Sequence, residues 1–252
     1  SAVPSNDGGP PHDLVAHALV ASVEHPVPSE ELTRHLWSAR RLRPGTAISV
    51  TDGAGSWRLV RVGSVGELDP DGDVRSVPAP DPVAIAFAPV KGERPEWCVQ
   101  KLTEVGVDRI VVLQTDRSVV RWSGSKASSH LAKLERVAAA ALEQCRRAWL
   151  PTIVGPITVD ELVAGQPTSG PSEVSLVSWV RADGTGRTPT AVDRAVLIGP
   201  EGGFSERERA LVPDQVALGP HVMRAETAAM VAGARAVALR EKKDHHGHGA
   251  GM

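Results

Sequence analysis

The pattern of apolar and polar positions changes character near residue 80. From 17 to 77 the apolar residues come in short alternating pieces, at 17–23, 47–51, 57–62 and 74–77. Asp52-Gly53-Ala54-Gly55 and Asp69-Pro70-Asp71-Gly72 separate them. Alternation predicts half-buried strands, and the Gly/Asp/Pro clusters predict turns. One helical piece at 29–41 interrupts the strands, opening at the capping residue Ser29 and closing before Pro44-Gly45. The prediction over 14–77 is a small β-barrel with one helix.

Pro78-Ala79-Pro80-Asp81-Pro82 then reads as a stiff linker over 78–82. Beyond it, near-continuous apolar runs at 83–88, 109–113, 174–180, 195–198 and 216–218 alternate with longer helical patterns at 95–105, 130–147, 205–212 and 225–240. Such alternation predicts an α/β fold over 83–240, a parallel sheet covered on both faces. The polar ends at 1–13 and 241–252 read as disordered tails, the three histidines of the second included, in preference to a metal site.

Two strand-to-helix junctions carry the candidate chemistry. In Leu197-Ile198-Gly199-Pro200-Glu201-Gly202-Gly203-Phe204-Ser205 an apolar run ends in a Gly-rich turn, and Ser205 caps a helix with acidic residues in its first turn. In Val216-Ala217-Leu218-Gly219-Pro220-His221-Val222-Met223-Arg224-Ala225-Glu226-Thr227 the same sequence of strand, Gly-Pro loop and helix recurs. The first lacks both the Lys-Ser/Thr ending of a P-loop and the Gly-x-Gly-x-x-Gly spacing. Its acidic helix start also disfavours a phosphate. Paired Gly-Pro loops at the carboxyl ends of neighbouring strands predict a crevice for a small flat ligand; singly, each is an ordinary turn.

Composition changes this picture at three points. The 252 residues suffice for one large or two modest cores, with tyrosine absent and tryptophan supplying six of the eight aromatics. There is no bilayer-length apolar run and no signal-peptide pattern, so a cytoplasmic protein without membrane partners is expected. Cys98 and Cys145 lie far apart in helical patterns and read as reduced thiols. The net charge of −2 is unevenly spread. Arg34, His35, Arg40, Arg41 and Arg43 cluster without an acid, and 117–147 holds seven Lys/Arg against Glu135 and Glu143. Such patches suit phosphate contacts, although Lys126 and Lys133 read as solvated helix faces.

With these motifs in place, the chain resembles the ribosomal small-subunit RNA methyltransferase E family of SPOUT methyltransferases. The resemblance rests on LIGPEGGFSERE and LGPHVMRAETA. It is joined by the basic stretch 34–45, by Lys91-Gly92-Glu93-Arg94 through Gln100-Lys101-Leu102-Thr103-Glu104-Val105-Gly106-Val107, and by Glu143-Gln144-Cys145-Arg146-Arg147. It runs from about residue 17 to 239. It implies a PUA-like RNA-binding barrel at 14–77 and a C-terminal trefoil knot. The implied activity is S-adenosylmethionine-dependent methylation of N3 of a uridine in 16S rRNA of the 30S subunit, by a homodimer that requires no metal. The final helix, with its small-residue run 228–236, is expected at the dimer interface.

By the same resemblance, the cofactor would lie against Ile198, Gly199, Pro200, Glu201, Gly203, Leu218, Gly219, Met223 and Ala225. Arg224 is the first candidate for stabilising the uracil anion, followed by Arg147 and Arg117. Glu226 either accepts the N3 proton or holds Arg224, and its first-turn position also suits a purely structural carboxylate. Arg34, Arg40, Arg41, Arg43, Arg117 and Arg121 are the expected RNA contacts. The chain departs from the family at His221, Val222 and Ala225, and Ser178-Trp179-Val180-Arg181 lacks the acidic residue expected there. Two alternatives stand beside this reading: a SPOUT enzyme for another RNA, and a catalytically silent RNA-binding or ribosome-assembly factor.

Overall fold

The computed structural model describes residues 8–90, 92, 94–165 and 178–247. Lys91, Glu93, positions 174–177 of a predicted strand, and parts of both predicted tails lie outside these. The chain divides into two compact units, Ser1–Pro80 with Ala139–Leu150, and Asp81–Ala138 with Pro151–Met252.

The first unit is built on a five-stranded sheet. Strand β1 (His17–Leu19) runs parallel to β2 (Ala47–Thr51), which pairs antiparallel with β3 (Ser56–Val62). β3 also pairs with β4 (Leu68–Pro70) and β5 (Arg75–Ser76). β4 falls where a turn was expected; Pro70 ends it at the sheet edge, where a missing N–H is tolerated. The predicted helix opens as α1 (Glu30–Thr33), with the Ser29 hydroxyl accepting from the Leu32 N–H. It then widens into a π-helical turn, Arg34–Ala39, closed by Arg40 N–H to the His35 carbonyl at 2.9 Å. It ends at Ala39, two residues short of the expected boundary, and Arg41 follows at φ 52°. The wider turn keeps Leu36 in the core with Ala18, Ile48, Val50, Val60 and Val62, while Trp37 packs against that core and donates to the Gly63 carbonyl.

Residues 139–150 belong to this unit through backbone and side-chain hydrogen bonds. Leu19 N–H donates to Glu143 at 2.9 Å, the Thr51 hydroxyl to the Ala148 carbonyl at 3.1 Å, and Leu150 N–H to the Gly53 carbonyl at 2.8 Å. His17, 5 % exposed, lies between Ser49 and the Arg147 carbonyl. A carbonyl only accepts, so Nε2 carries the proton and Nδ1 accepts from the Ser49 hydroxyl. Burial pushes the His17 pKa down to about 4, against the opposing pull of that carbonyl.

The second unit holds a six-stranded sheet. Its strands are β6 (Ala84–Phe87), β7 (Arg109–Gln114), β8 (Thr152–Thr158), β9 (Val180–Arg187), β10 (Ala195–Ile198) and β11 (Gln215–Val216). They lie in the order β11-β9-β10-β6-β7-β8, and every pairing is parallel, as the alternating pattern predicted. The central strands β6, β7 and β10 are buried almost throughout, which explains their continuous apolar runs. β8 and the short helix α4 (Val159–Val163) were not expected, because Gly155-Pro156 breaks the apolar pattern on what is an edge strand.

Four longer helical segments complete the unit: α2 (Arg94–Glu104), α3 (Gly124–Cys145, its end shared with the first unit), α5 (Glu206–Leu211) and α6 (Ala225–Gly247). α3 starts six residues before the predicted 130. Its polar first turns lack apolar periodicity, yet Trp122 stacks on His130 at 4.4 Å. α6 continues past residue 240, where a tail was expected; Arg240 is tied to Asp108 at 2.6 Å and to the Asp81 carbonyl at 3.1 Å. Ala229, Ala232, Gly233 and Ala236 of α6 are buried, while Ala234 is exposed. A Cβ on Gly233 would come within 2.9 Å of Leu102 and Val107, so this face of α6 packs closely against α2. Cys98 of α2 is buried and free, and burial raises its thiol pKa well above the usual range.

Candidate active site

A cavity of about 440 Å³ opens in the second unit. Three pieces of chain wall it: Ala182-Asp183-Gly184 of β9, the loop after β10, and the loop after β11 leading into α6. All nine residues predicted to touch a cofactor line it: Ile198, Gly199, Pro200, Glu201, Gly203, Leu218, Gly219, Met223 and Ala225. So does Arg224, whose carbonyl accepts from Ala228 N–H at 2.8 Å in the first turn of α6.

The first loop takes its shape from local chemistry. Gly203 sits at φ +66°, a backbone conformation that L side chains rarely adopt, and its N–H closes a turn onto the Pro200 carbonyl at 2.8 Å. A Cβ on Gly199 would meet the buried Phe204 ring at 3.0–3.3 Å, tighter than ordinary contact, so a glycine here lets strand β10 turn closely over that ring. Ser205 and Glu208 then form a reciprocal capping box that starts α5. The loop therefore leaves backbone amides and carbonyls, with few side chains, facing the cavity.

The side walls carry the charge. Asp183 pairs with the buried Arg181 at 2.8 Å and with Arg209 at 3.0 Å. Glu201 and Arg224 are exposed at the rim. Beneath the first loop, Asp116 receives the Ser205 hydroxyl at 2.6 Å and the Arg207 guanidinium at 2.9 Å. Arg207 first, and then Ser205, hold the Asp116 carboxyl below its usual range.

The remaining predicted site residues fall elsewhere. Glu226 lies in the first turn of α6, facing Arg94 at 3.6 Å, and does not line the cavity. Arg147 belongs to the first unit, where its carbonyl accepts from His17. Arg34, Arg40, Arg41 and Arg43 are all exposed on that unit, with Arg40 donating to the Val15 carbonyl at 2.6 Å. Arg117 and Arg121 are exposed on the segment after β7; Arg117 donates to the Gly202 carbonyl at 2.9 Å and Arg121 to the Asp116 carbonyl at 3.2 Å.

Sequence reasoning missed Ala182, Asp183, Gly184, His221, Val222 and Ala228 in the cavity wall. The acidic residue sought at 178–181 is supplied by Asp183, two positions further along β9. The signal was present but ambiguous: Asp183-Gly184 reads as a turn, whereas β9 runs on through Gly184 and Gly186 at φ 82° and 135°. Among the described residues no cluster of three His, Cys, Asp or Glu could hold a metal ion, and no helix is long and apolar enough to cross a membrane.

Comparison with known proteins places this architecture. The RNA methyltransferase domain family matches residues 77–237. The ribosomal RNA small subunit methyltransferase E of Mycobacterium bovis is 32% identical over 218 residues, 79% of this chain and 80% of the relative. Its counterpart from Synechocystis is 30% identical over 222 residues, 82% of this chain and 71% of the relative. Among solved structures, a probable rRNA methyltransferase from Porphyromonas gingivalis superposes with a TM-score of 0.72 at 25% identity, over 91% of this chain and all (100%) of that one. The Neisseria gonorrhoeae small subunit methyltransferase E bound to S-adenosyl methionine shares the fold, with a TM-score of 0.71 at 23% identity over 89% and 97% of the two chains. The protein belongs to the ribosomal RNA small subunit methyltransferase E family.

Proposed function

We propose that this protein transfers a methyl group from S-adenosylmethionine to N3 of a uridine in 16S rRNA of the small ribosomal subunit. The observation that carries the reading is the gathering of all nine residues predicted for the cofactor, together with Arg224, around one cavity. Its volume, about 440 Å³, lies within the range of small-molecule sites. Leu218 and Met223 offer apolar surface to an adenine. Exposed backbone amides and carbonyls suit the adenine edge.

The cofactor, when bound, supplies an electrophilic methyl group on a sulfonium; the protein holds the acceptor in line with it. The uracil N3–H must lose its proton, so negative charge spreads toward O2 and O4. Of the arginines predicted to meet that charge, Arg224 lines the cavity, and we assign the role to it. Such a donor contributes roughly 2.7–4 kcal/mol to the transition state. Glu226 faces Arg94 outside the cavity wall, and we assign it the structural role.

The same reading extends to architecture. From β10 the chain passes beyond β9 to reach β11, then returns as α6 against α2, β6 and β10, a path that suits the trefoil knot of the SPOUT fold. The five-stranded sheet with its exposed Arg34, Arg40, Arg41 and Arg43 fits a PUA-like RNA-binding domain. We take the working form to be a cytoplasmic homodimer.

The test is incubation with labelled S-adenosylmethionine and unmodified 30S subunits, followed by nucleoside mass spectrometry. N3-methyluridine in 16S rRNA supports the reading. Cofactor binding without this product redirects it to another RNA, and absence of both removes methyl transfer.

A further inference from the structure

Glu208 is 1 % exposed, and both of its carboxylate oxygens are committed. Oε2 accepts from Ser205 N–H at 2.9 Å, as a capping box requires. Oε1 reaches out of the helix and accepts from Asp116 N–H at 2.8 Å, a partner 92 residues away in sequence. Capping alone does not need this second bond.

Two further bonds join the same segments. The Ser205 hydroxyl donates to Asp116 Oδ2 at 2.6 Å, and Arg117 Nη1 donates to the Gly202 carbonyl at 2.9 Å. The segment after β7 is itself stiff: Thr115 N–H donates to the Ser118 hydroxyl at 2.9 Å, and both side chains are buried. A rigid piece of chain thus grips the loop 199–205 at its middle and at its end.

We propose that Glu208 and Arg117 are positioning residues that clamp the segment after β7 to the loop 199–205, so that affinity for S-adenosylmethionine is set in part from outside the cavity. The proposal rests on the methyltransferase reading and deepens it. Neither side chain lines the cavity. Both act through the backbone of Gly202 and Ser205, which orients the amides and carbonyls of the turn. Arg117 is thereby a holder of the cofactor loop, a different task from the RNA contact expected of it.

The test is calorimetric titration of S-adenosylmethionine into wild type, Arg117→Ala, Arg117→Lys and Glu208→Gln, with steady-state methylation of 30S subunits. Arg117→Ala is expected to weaken cofactor binding by about tenfold, a common size for such coupling. The KM for cofactor rises in parallel, while kcat at saturation stays within about twofold. Arg117→Lys keeps one donor and recovers part of the loss. Glu208→Gln sets an amide NH2 against a backbone N–H, and should match or exceed Arg117→Ala. If Glu208→Gln does not fold, Arg117→Ala decides alone, since that side chain is exposed. Unchanged cofactor affinity in Arg117→Ala, with only the KM for 30S raised, overturns the clamp and returns Arg117 to the RNA. A wild-type protein that binds no S-adenosylmethionine overturns the methyltransferase reading itself.

Discussion

Arg181 and Asp183 stand two residues apart on β9, on one face of the strand, with Nη1 and Oδ2 2.8 Å apart. The guanidinium is buried; its Nε also donates to the Val212 carbonyl at 2.5 Å. Asp183 also pairs with Arg209 at 3.0 Å and lines the cavity. One acidic residue therefore compensates a buried cation and ties a second arginine beside the cavity wall.

Asp183→Asn should lower both stability and cofactor affinity, because Arg181 and Arg209 lose the carboxylate that holds them beside the cavity wall. Removing one member of a buried pair typically costs ~3–5 kcal/mol. Here a loss on the order of 2 kcal/mol is expected, because the Val212 carbonyl still accepts from Arg181. Urea denaturation reads the stability, and calorimetry the affinity. An unchanged midpoint would mean that carbonyls alone satisfy Arg181.

Arg224→Ala should abolish turnover while cofactor binding stays within about tenfold, or roughly 1.4 kcal/mol. Single-turnover methylation beside calorimetric titration separates the two. If binding and turnover fall together, Arg224 holds the cofactor and the anion-stabilising role passes to another donor.

Gly199→Ala should destabilise the second unit by about 1–3 kcal/mol, the usual range for overpacking. The added methyl meets the Phe204 ring at 3.0–3.3 Å, and that ring is itself 1 % exposed. Thermal unfolding monitors this. A wild-type melting curve would mean that the ring can move aside.

His17 makes stability depend on pH. Its pKa is about 4 when folded and 6.5, the ordinary imidazole value, in the unfolded chain, so between these values the unfolded chain binds more protons. Stability from this group is whole above pH 6.5 and is lost as pH falls toward 4. The 2.5-unit difference corresponds to about 3 kcal/mol as an upper figure. His17→Gln should flatten the profile of unfolding free energy against pH in that window; an unaltered slope would place the titration elsewhere.

Charge reversal at Arg40 and Arg43 should weaken binding to 30S subunits and reduce its salt dependence, since each lost phosphate contact removes nearly one unit of slope. Filter binding from low to high salt measures it. A slope equal to that of wild type would detach this surface from RNA.

Period and punctuation made much of the fold legible in advance. Alternating short apolar runs announced the strands of the first unit. The continuous runs of β6, β7 and β10 announced a parallel sheet buried on both faces. Paired Gly-Pro loops announced the cavity, since a glycine beside Phe204 and another at positive φ leave a local trace in the chain. Edge elements were less legible. β4 and β8 carry prolines that read as turns, and their place at the sheet margin, where a missing N–H does no harm, is a property of the whole sheet.

The sequence by itself thus determined the buried central elements, the two Gly-Pro loops and the family. It also determined nine of the residues that surround the cavity after β10 and β11, because those contacts follow from backbone shape within a few neighbouring residues. Tertiary structure alone decided that Asp183 completes the cavity wall, that Glu208 reaches Asp116, that Arg117 holds Gly202, and that residues 139–150 pack with the first unit. Each of these joins positions whose separation along the chain, or whose strand path, has no periodic signature. A charged side chain looks the same in the sequence whether it meets water, RNA or a carbonyl; only the folded chain supplies the partner.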